Sequence, residues 1–473
     1  MFAKLGIETV IQEFPIARTS KIIRNETGYF VPGKNLQPVQ TLKTWTALLL
    51  AALLLAVFGA FSSAAQAQEA RPDLFGRHPA NLSKIVVVGD SLSAGFQSDS
   101  LLDTAQPHGW ASLVAAQADE PLILPLIAPP GIPNVLELLS VGPPPIIEPA
   151  PGTSPGRDDP FVQATDLAVP GAELQDVLTT APSLPIDSLT DLVIGLPGLL
   201  DGVSKTQVEW AQTLQPTTIF LWIGSNDILG AASVADPSAA TPLGSFASNY
   251  NKLLNELSAT GATLVVANIR DVTVIPYFTP AGTIAQEAGL PLFVIGPILG
   301  IGPGDYVLPH GVALVPGILT GSIKGPLPSS DVLRAPQVLE TRAIIDAYNF
   351  IIAIEAFGHG AVLVDIHALT EQIRSQGIEA NGHHLTNAFL GGLFSLDGVH
   401  PTNTGYAVIA NKFITTLNQT RGTSIPLVNI NEVASTDPLI FADAARAVSL
   451  SKHVSPATAA ALHALLLHTS SQK

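Results

Sequence analysis

Cysteine is absent from the 473-residue chain, and methionine occurs once, as Met1. The absence of cysteine excludes disulfide bonds, thiolate metal sites, a cysteine nucleophile and a lipid-modified cysteine at a processed N-terminus. Charged and aromatic residues are scarce as well, at 13% and 6% of the chain. Hydrophobic residues reach 47%, which is enough for a packed core. We therefore expect a globular protein rather than a disordered one.

Basic residues are in deficit: 22 Lys and Arg stand against 38 Asp and Glu, and the formal net charge is -16. Proteins bind phosphate backbones mainly through Lys and Arg, which release counterions on binding. The deficit therefore argues against a nucleic acid as partner.

The first 67 residues are predicted to be an N-terminal extension that ends in a secretory signal peptide. The apolar run 47–61 follows Lys43 and is succeeded by Ala-Gln-Ala at 65–67, the small-x-small pattern that signal peptidases cleave. Cleavage after Ala67 would make the protein secreted or periplasmic. An uncleaved membrane anchor and a buried core helix are the alternatives. The run has about 15 residues against the ~20 that span a bilayer, and it lacks the polar periodicity of a core helix.

Four short apolar runs, rich in β-branched residues, have the character of buried parallel strands. They lie at 84–89, 218–224, 262–269 and 361–366. Helical patterns such as 245–258 and 335–355 flank them. Alternating strands and helices predict a doubly wound α/β fold whose site lies at the carboxyl ends of the strands. We place this domain at 68–420 and a C-terminal helical extension at 421–473, with a helix over 455–468.

Two proline-rich stretches interrupt this alternation. Residues 121–160 include twelve prolines, too many for a helix or a central strand, so we expect an irregular apolar loop. Residues 276–328 are likewise rich in Gly, Pro, Leu and Ile. Long stretches without regular structure are usually functional lids or disordered segments. The apolar content of both stretches favours packing over the body of the domain.

The tetrapeptide Gly-Asp-Ser-Leu at 89–92 directly follows the first predicted strand, where we expect the chain to turn into a helix. A serine at such a turn exposes its hydroxyl above the sheet, with its backbone N–H at the positive end of the helix. Ser91 is therefore a candidate nucleophile. On the tetrapeptide alone, a serine that only caps the helix explains the pattern equally well.

Two further segments offer hydrogen-bond donors for an oxyanion. Gly171 follows a proline ahead of a helical stretch, and a glycine lets its N–H approach a ligand closely. Asn226 follows the second strand within Gly-Ser-Asn-Asp, and an amide at the carboxyl end of a strand can also donate. Each residue has an ordinary alternative as part of a turn.

Asp397 and His400 form the sharpest pattern in the chain. Their three-residue spacing on one turn lets the Asp397 carboxylate reach the Nδ1–H of His400. This contact fixes the tautomer and leaves Nε2 free to accept a proton from a serine. The pair is therefore a candidate orienting acid and general base for Ser91.

In order and context these four segments resemble the SGNH/GDSL hydrolase superfamily, over residues 84–417. The resemblance implies a three-layer α/β/α, flavodoxin-like fold with a mainly parallel sheet, here interrupted by the two Pro- and Gly-rich insertions. It also implies hydrolysis of esters through an acyl-enzyme, with Ser91, Asp397 and His400 as the catalytic residues.

The same resemblance implies an oxyanion hole formed by the N–H of Ser91, the N–H of Gly171 and the side chain of Asn226. Asp166 is a departure, since the family often has Asn at this position. We expect this difference to leave the chemistry unaffected. The two long insertions lie outside the general family pattern, so the resemblance implies no substrate preference.

The leading interpretation is a secreted esterase or lipase that needs no cofactor and no metal. The adjacent His383 and His384 have no further ligand at metal-binding spacing.

The apolar insertions favour a small-molecule or lipid ester and a transient contact with a membrane or lipid surface. The alternatives are a carbohydrate O-deacetylase, which would need aromatic and polar residues around Ser91, and an inactive envelope binding protein, against which the four intact motifs argue. Acyl chain length and oligomeric state stay open.

Overall fold

The computed structural model describes residues 79–140 and 145–440. The predicted signal peptide with its cleavage site, and the predicted helix over 455–468, lie outside these residues. The helices and strands follow in chain order: β1 (Ile85–Gly89), α1 (Trp110–Gln117), β2 (Leu136–Ser140), β3 (Ile146–Pro149), α2 (Leu174–Thr179), α3 (Leu189–Val193), α4 (Gln207–Leu214), β4 (Thr218–Trp222), α5 (Asn226–Ser233), α6 (Leu243–Ser258), β5 (Thr263–Ala267), β6 (Thr279–Pro280), α7 (Ala281–Glu287), α8 (Leu292–Leu299), β7 (Tyr306–Val307), α9 (Pro309–Thr320), β8 (Val332–Leu333), α10 (Ala335–Gly358), β9 (Val362–Val364), α11 (Ile366–Gln376), β10 (Ile378–Ala380), β11 (His383–Leu385), α12 (Asn403–Arg421) and α13 (Ile430–Thr436).

A parallel sheet of four strands, in the order β1-β4-β5-β9, forms the central layer. Every residue of β1 and β4 is buried, as expected when helices cover both faces of a parallel sheet. Gly89 lies beside Trp222 and Ala267 lies beside Val364, so the carboxyl ends of the strands share one edge. Each of the four predicted runs contains one of these strands. The predicted α/β fold with a parallel sheet is confirmed.

Aromatic side chains join the helices to both faces of the sheet. Trp110 of α1 stacks on Phe413 of α12 with 3.8 Å between ring centroids, and both rings contact Phe220 of β4, at 5.5 and 6.0 Å. On the other face, Phe246 of α6 stacks on Tyr348 of α10 at 3.9 Å. Such ring pairs add about 0.5–1.5 kcal/mol each to the gain from burial. The helices, the sheet and the second set of helices make three layers.

The chain before Gly171 runs parallel to the outer edge of β1 without forming a regular strand. Asp166 forms a parallel bridge with Val87. The N–H of Val169 donates to the carbonyl of Gly89 at 3.1 Å. This pairing carries the following residues to the carboxyl end of β1. Gly171 therefore arrives at the edge where the sheet strands end.

Most described residues of the first insertion, 121–160, lack regular structure, as predicted, but two short strands interrupt them. The insertion contains an antiparallel hairpin of β2 and β3. Exposure alternates along β2, and the hairpin residues Leu136 and Ile147 pack with Leu390 and Leu396 in a small core. Most prolines of the insertion lie outside the two strands, and a hairpin edge tolerates a missing N–H. The apolar alternation between the prolines therefore decides the local structure.

The prediction that 276–328 lacks regular structure is wrong. This insertion forms α7, α8, α9, β6 and β7, and the two strands join β8, just beyond the insertion, in an antiparallel sheet of order β6-β7-β8. Three of its prolines start helices: Pro280 and Pro291 are N-caps, and Pro309 lies in the first turn. At these positions the missing N–H costs nothing, because the first N–H groups of a helix have no intrahelical partner. The apolar residues, such as Ile295, form a separate core.

The chain beyond α12 stays attached to the main core. Within the predicted C-terminal helical extension at 421–473, Ile425 and Val428 are buried in the same cluster as the sheet residues. The Asp437 carboxylate accepts hydrogen bonds from the N–H and the hydroxyl of Thr404, both at 2.8 Å. The described part of the predicted extension, up to residue 440, therefore belongs to the same packed body.

Candidate active site

The turn after β1 places Ser91 at the carboxyl edge of the sheet. The backbone carbonyl of Asp90 accepts hydrogen bonds from the N–H groups of Ser93 at 3.0 Å and Ala94 at 3.1 Å, which makes a single turn. The helix that we predicted here does not form, because Gly95 adopts a left-handed conformation with φ of 71° and ends the turn at once. Ser91 therefore lies in a tight turn rather than at a helix N-terminus.

His400 bridges Ser91 and Asp397. Its Nε2 lies 2.8 Å from the Ser91 hydroxyl, and its Nδ1 lies 2.9 Å from Oδ2 of Asp397. Ser91 and His400 are 309 residues apart in the sequence. Ser91 lies in the turn after β1, whereas His400 lies in the loop that leads into α12. The structure thus brings together the three residues that the sequence analysis selected, in hydrogen-bonding order.

The Asp397 carboxylate is buried but fully hydrogen-bonded. Oδ1 accepts from the N–H groups of Val399 at 2.7 Å and His400 at 2.8 Å, and Oδ2 accepts from the N–H of Asp99 at 2.9 Å. Burial alone would raise the pKa of Asp397. The charge of His400 and these hydrogen bonds outweigh burial and lower that pKa below its ordinary value. Asp397 is therefore ionised at neutral pH and can hold His400 in the tautomer with a proton on Nδ1.

Gly171 and Asn226 meet at the same edge. Gly171 has φ of 82°, a conformation that side chains other than glycine rarely adopt. The Asn226 amide donates to the carbonyl of Ala172 at 2.9 Å, and the Asp227 carboxylate accepts from the N–H of Leu174 at 2.8 Å. Two consecutive side chains at the start of α5 thus fix the loop that carries Gly171. The second hydrogen of the Asn226 amide is left for another acceptor.

Two backbone donors at this edge have no protein partner. Within residues 79–140 and 145–440, the N–H groups of Ser91 and Gly171 donate to no protein atom. Nearly all buried backbone N–H groups in proteins are paired, so the N–H of the buried Ser91 is an exception, whereas Gly171 is half-buried. Both N–H groups are therefore available to a ligand.

The sequence profile of the GDSL-like Lipase/Acylhydrolase family matches residues 85–413. The chain belongs to this family. The match begins at β1, ends within α12 and encloses every candidate site residue and both insertions.

Solved structures with a similar fold include two hydrolases. One is LAE5, an alpha/beta hydrolase enzyme from the metagenome of Lake Arreo, Spain, with 15% identity, coverage of 73% of this chain and 99% of that chain, and a TM-score of 0.34. The other is Axe2, an acetylxylan esterase from Geobacillus stearothermophilus, with 10% identity, coverage of 72% and 96%, and a TM-score of 0.34. No curated protein matches the chain. Sequence identities and TM-scores this low do not indicate what this chain acts on.

A tight turn that the sequence analysis missed supports the Asp397 loop of this GDSL-family hydrolase. Ser98 and Asp99 both adopt left-handed conformations, with φ of 51° and 61°, the conformation of a two-residue hairpin turn. The turn directs the N–H of Ser98 to the Ser395 hydroxyl at 2.8 Å and the N–H of Asp99 to Asp397 at 2.9 Å. The only local signal is a Ser-Asp pair, which occurs in many turns.

Arg270 is a second contributor that the sequence analysis missed. It is buried behind the Asp397 loop, and its guanidinium donates to the carbonyl of Val399 at 2.9 Å and lies 5.8 Å from the ring centre of Phe394. Burial lowers its pKa to about 10, which keeps it cationic at neutral pH. The charges of Asp90 and Asp397 act on it in the opposite direction. Arg270 thus offsets part of the negative charge buried around the site.

Asp166, the departure from the family pattern, should make the stability of the fold depend on pH. Its buried carboxyl accepts a hydrogen bond from the N–H of Ala168 at 3.1 Å, and burial raises its pKa to about 8. The same group has a pKa of about 3.9 in an unfolded chain. Between these pH values the folded protein holds more protons than the unfolded chain, so the contribution of Asp166 to stability falls as pH rises.

Asp166→Asn should therefore raise the melting temperature above about pH 8 and change it little near about pH 3, below the unfolded pKa, where both states hold the proton. Thermal unfolding of wild type and variant, followed by circular dichroism at both pH values, measures the difference. An equal change at both pH values would mean that the titration of Asp166 has no part in stability.

Proposed function

We propose that this GDSL-family protein hydrolyses carboxylic esters through an acyl-enzyme on Ser91. The observation that carries the proposal is the position of His400, with Nε2 2.8 Å from the Ser91 hydroxyl and Nδ1 2.9 Å from Asp397. A serine hydroxyl is a weak nucleophile unless a base takes its proton as it attacks. Here a base lies at hydrogen-bonding distance, and an ionised carboxylate orients that base.

The acylation step follows from this geometry. Ser91 Oγ forms a bond to the carbonyl carbon of the ester while its proton moves to Nε2 of His400. The carbonyl oxygen becomes an oxyanion. When the intermediate collapses, the bond from the carbonyl carbon to the alcohol oxygen breaks and His400 gives its proton to the departing alcohol. Asp397 stabilises the imidazolium throughout and keeps its own charge.

Deacylation repeats the sequence with water as the nucleophile. His400 takes a proton from water, the hydroxide adds to the acyl carbon, and the bond to Ser91 Oγ breaks with return of the proton to the serine. The unpaired N–H groups of Ser91 and Gly171 and the free hydrogen of Asn226 support a role in binding the oxyanion in both steps.

We infer an ester with an apolar acyl group from the two insertions, which are rich in Leu, Ile and Pro, whereas the apolar side chains nearest His400 and Asp397 are buried. Phe96 packs against the His400 ring, with 4.7 Å between ring centroids. The β2–β3 hairpin packs against Leu396, next to Asp397 in the chain. Burial of one methylene group is worth about 0.8 kcal/mol, which corresponds to roughly fourfold in rate or affinity.

A series of p-nitrophenyl esters, from acetyl to long-chain, tests the proposal on the purified chain that follows the predicted cleavage site. We expect kcat/KM to rise by up to about fourfold per methylene until the acyl group fills its site. Ser91→Ala is the control for background hydrolysis. Cleavage of the acetyl ester alone would support a carbohydrate O-deacetylase, and no cleavage of any ester would support a binding protein. We also propose export with cleavage after Ala67, which N-terminal sequencing of the extracellular fraction checks.

A further inference from the structure

Helix α8 exposes an apolar surface to solvent. Phe293 has 81% of its surface exposed, Val294 40% and Ile298 47%, and Leu290 just before the helix has 45%. Together with the exposed Pro291 and Pro297, we call these residues the α8 patch. No charged residue occurs anywhere from 288 to 304. A concentration of exposed apolar side chains of this kind usually marks a binding surface.

The opposite side of α8 is apolar as well. Ile295 and Leu299 are fully buried in the separate core of the second insertion. A helix that is apolar on all sides normally lies inside a protein or in contact with lipid. Since α8 already contributes its buried side to the core, the exposed side needs a partner of its own.

The length of α8 decides how lipid could be contacted. Within residues 79–140 and 145–440, no single helix is long and apolar enough to cross a membrane. Helices α7 and α8 together have the length and the apolar composition, but the chain bends by 110° between them. Eight residues of helix cover about 12 Å, against about 30 Å for the hydrocarbon core of a bilayer. Helix α8 can therefore lie in a lipid surface but cannot span it.

The size and chemistry of the α8 patch favour lipid over a second copy of the chain. A stable protein interface needs about 800 Å² and 20–30 residues on each side, whereas the patch has six residues. Protein interfaces also contain about one hydrogen bond per 100–200 Å². The side chains of the patch carry no hydrogen-bonding group, and a lipid surface requires none.

Two charged residues lie beside the patch: Glu287, which is half-buried and has an interaction partner within the protein, and the exposed Lys324. Gly325 packs against the α8 backbone, so that a Cβ added to it would lie 2.9 Å from the carbonyl oxygen of Ile298. Its neighbour Lys324 is exposed. The chain as a whole has a net charge of -16. A lysine next to the uncharged patch therefore complements anionic headgroups at the one place where an acidic protein must approach them.

The insertion that carries α8 is joined to the candidate active site. The N–H of Tyr277, just before the insertion helices, donates to the carbonyl of Gly398 at 2.9 Å, between Asp397 and His400. Asn387 also donates to the carbonyl of Val274 at 2.7 Å. A lipid surface bound at α8 is thus held by an insertion whose base contacts the catalytic loop.

From these observations we propose that the α8 patch inserts into anionic lipid surfaces and holds the enzyme at aggregated ester substrates. The docking itself depends only on the patch, and its benefit for hydrolysis rests on the proposed esterase function. The proposal identifies the physical form of the substrate: esters presented in a membrane, micelle or droplet rather than as dispersed monomers.

Vesicle sedimentation tests the docking with Ser91→Ala protein, which leaves the lipid intact. Vesicles of phosphatidylcholine with phosphatidylglycerol should bind this protein, and adding Phe293→Ser should weaken binding about tenfold or more. Lys324→Glu should weaken binding to these vesicles but change little with phosphatidylcholine alone. Phe357→Ser is the matched control, because Phe357 on α10 is exposed to 83%.

Activity assays separate this proposal from the esterase proposal. With Ser91 present, Phe293→Ser should leave kcat/KM for a soluble short-chain ester unchanged and lower the rate on vesicle-bound ester. Equal vesicle binding by the Phe293 and Phe357 variants would overturn the docking proposal, as would a dimer in analytical ultracentrifugation that only Phe293→Ser dissociates. Vesicle binding that depends on Phe293, in a protein that cleaves no ester, would leave the docking in place and refute the esterase function.

Discussion

Ser91→Ala and His400→Ala should each lower kcat for ester hydrolysis by about 10⁶-fold, and the double variant should be hardly slower than either single one. The hydroxyl of Ser91 and Nε2 of His400 lie 2.8 Å apart, and in the proposed mechanism they share one proton transfer, so loss of either ends that transfer. A second loss then removes nothing more. Steady-state kinetics on a soluble p-nitrophenyl ester measure all three variants, and unchanged melting temperatures confirm that the variants are folded.

Asp397→Ala should be milder, with a loss of about 10⁴-fold, because the imidazole remains and loses its orientation and charge partner. A fluorophosphonate probe should label Ser91 in the wild type and label the His400 variant far more slowly. If the effects of Ser91→Ala and His400→Ala multiply in the double variant, the two residues act independently and the proposed mechanism is wrong. If folded wild type takes up no probe and cleaves no ester, the protein is a binding protein.

The sheet and the contacts among the predicted site residues follow from local patterns. Residues 84–89 and 218–224 are apolar without interruption because both faces of a central parallel strand are covered, and such runs are visible in the sequence. The register that places Gly89 beside Trp222 then brings Ser91 and Asn226 to one edge. The Asp397–His400 contact spans three residues, so its spacing is also a local signal.

The insertion helices could not be predicted because proline has two opposite roles. Pro291 and Pro309 start helices, whereas Pro297 and Pro316 lie inside helices that tertiary packing maintains. Composition alone cannot distinguish these positions. The separate core around Ile295 decides which segments become helical, and that core forms only when three helices pack together.

The groups behind the triad leave even less trace in the sequence. Asp99 contacts Asp397 across 298 residues, and Arg270 contacts Val399 across 129. Neither residue belongs to a spacing pattern, and both act through hydrogen bonds between a backbone group and a charged side chain. Contacts of this kind depend on how loops from different strands meet, which only the folded structure shows.

Asn226→Ala should lower kcat by about 10²- to 10³-fold with little change in KM, which is the loss expected when one donor to an oxyanion is removed. The amide of Asn226 has one hydrogen on the carbonyl of Ala172 at 2.9 Å, and its second hydrogen is free for the charged oxygen that develops beside Ser91. Because the charge develops only in the transition state, the variant should lose rate rather than affinity for the ester.

Asp227→Ala is the matched control for this prediction. Asp227 fixes the same loop by accepting from the N–H of Leu174 at 2.8 Å, but it is not one of the proposed donors to the oxyanion. If Asn226 acts only by holding the Gly171 loop, the two variants should lose rate and melting temperature in parallel. If Asn226 donates to the oxyanion, its variant should lose far more kcat for a given fall in melting temperature. A rise in KM at unchanged kcat would instead make Asn226 a contact to the bound ester before reaction, and the oxyanion hole would then consist of the N–H groups of Ser91 and Gly171 alone.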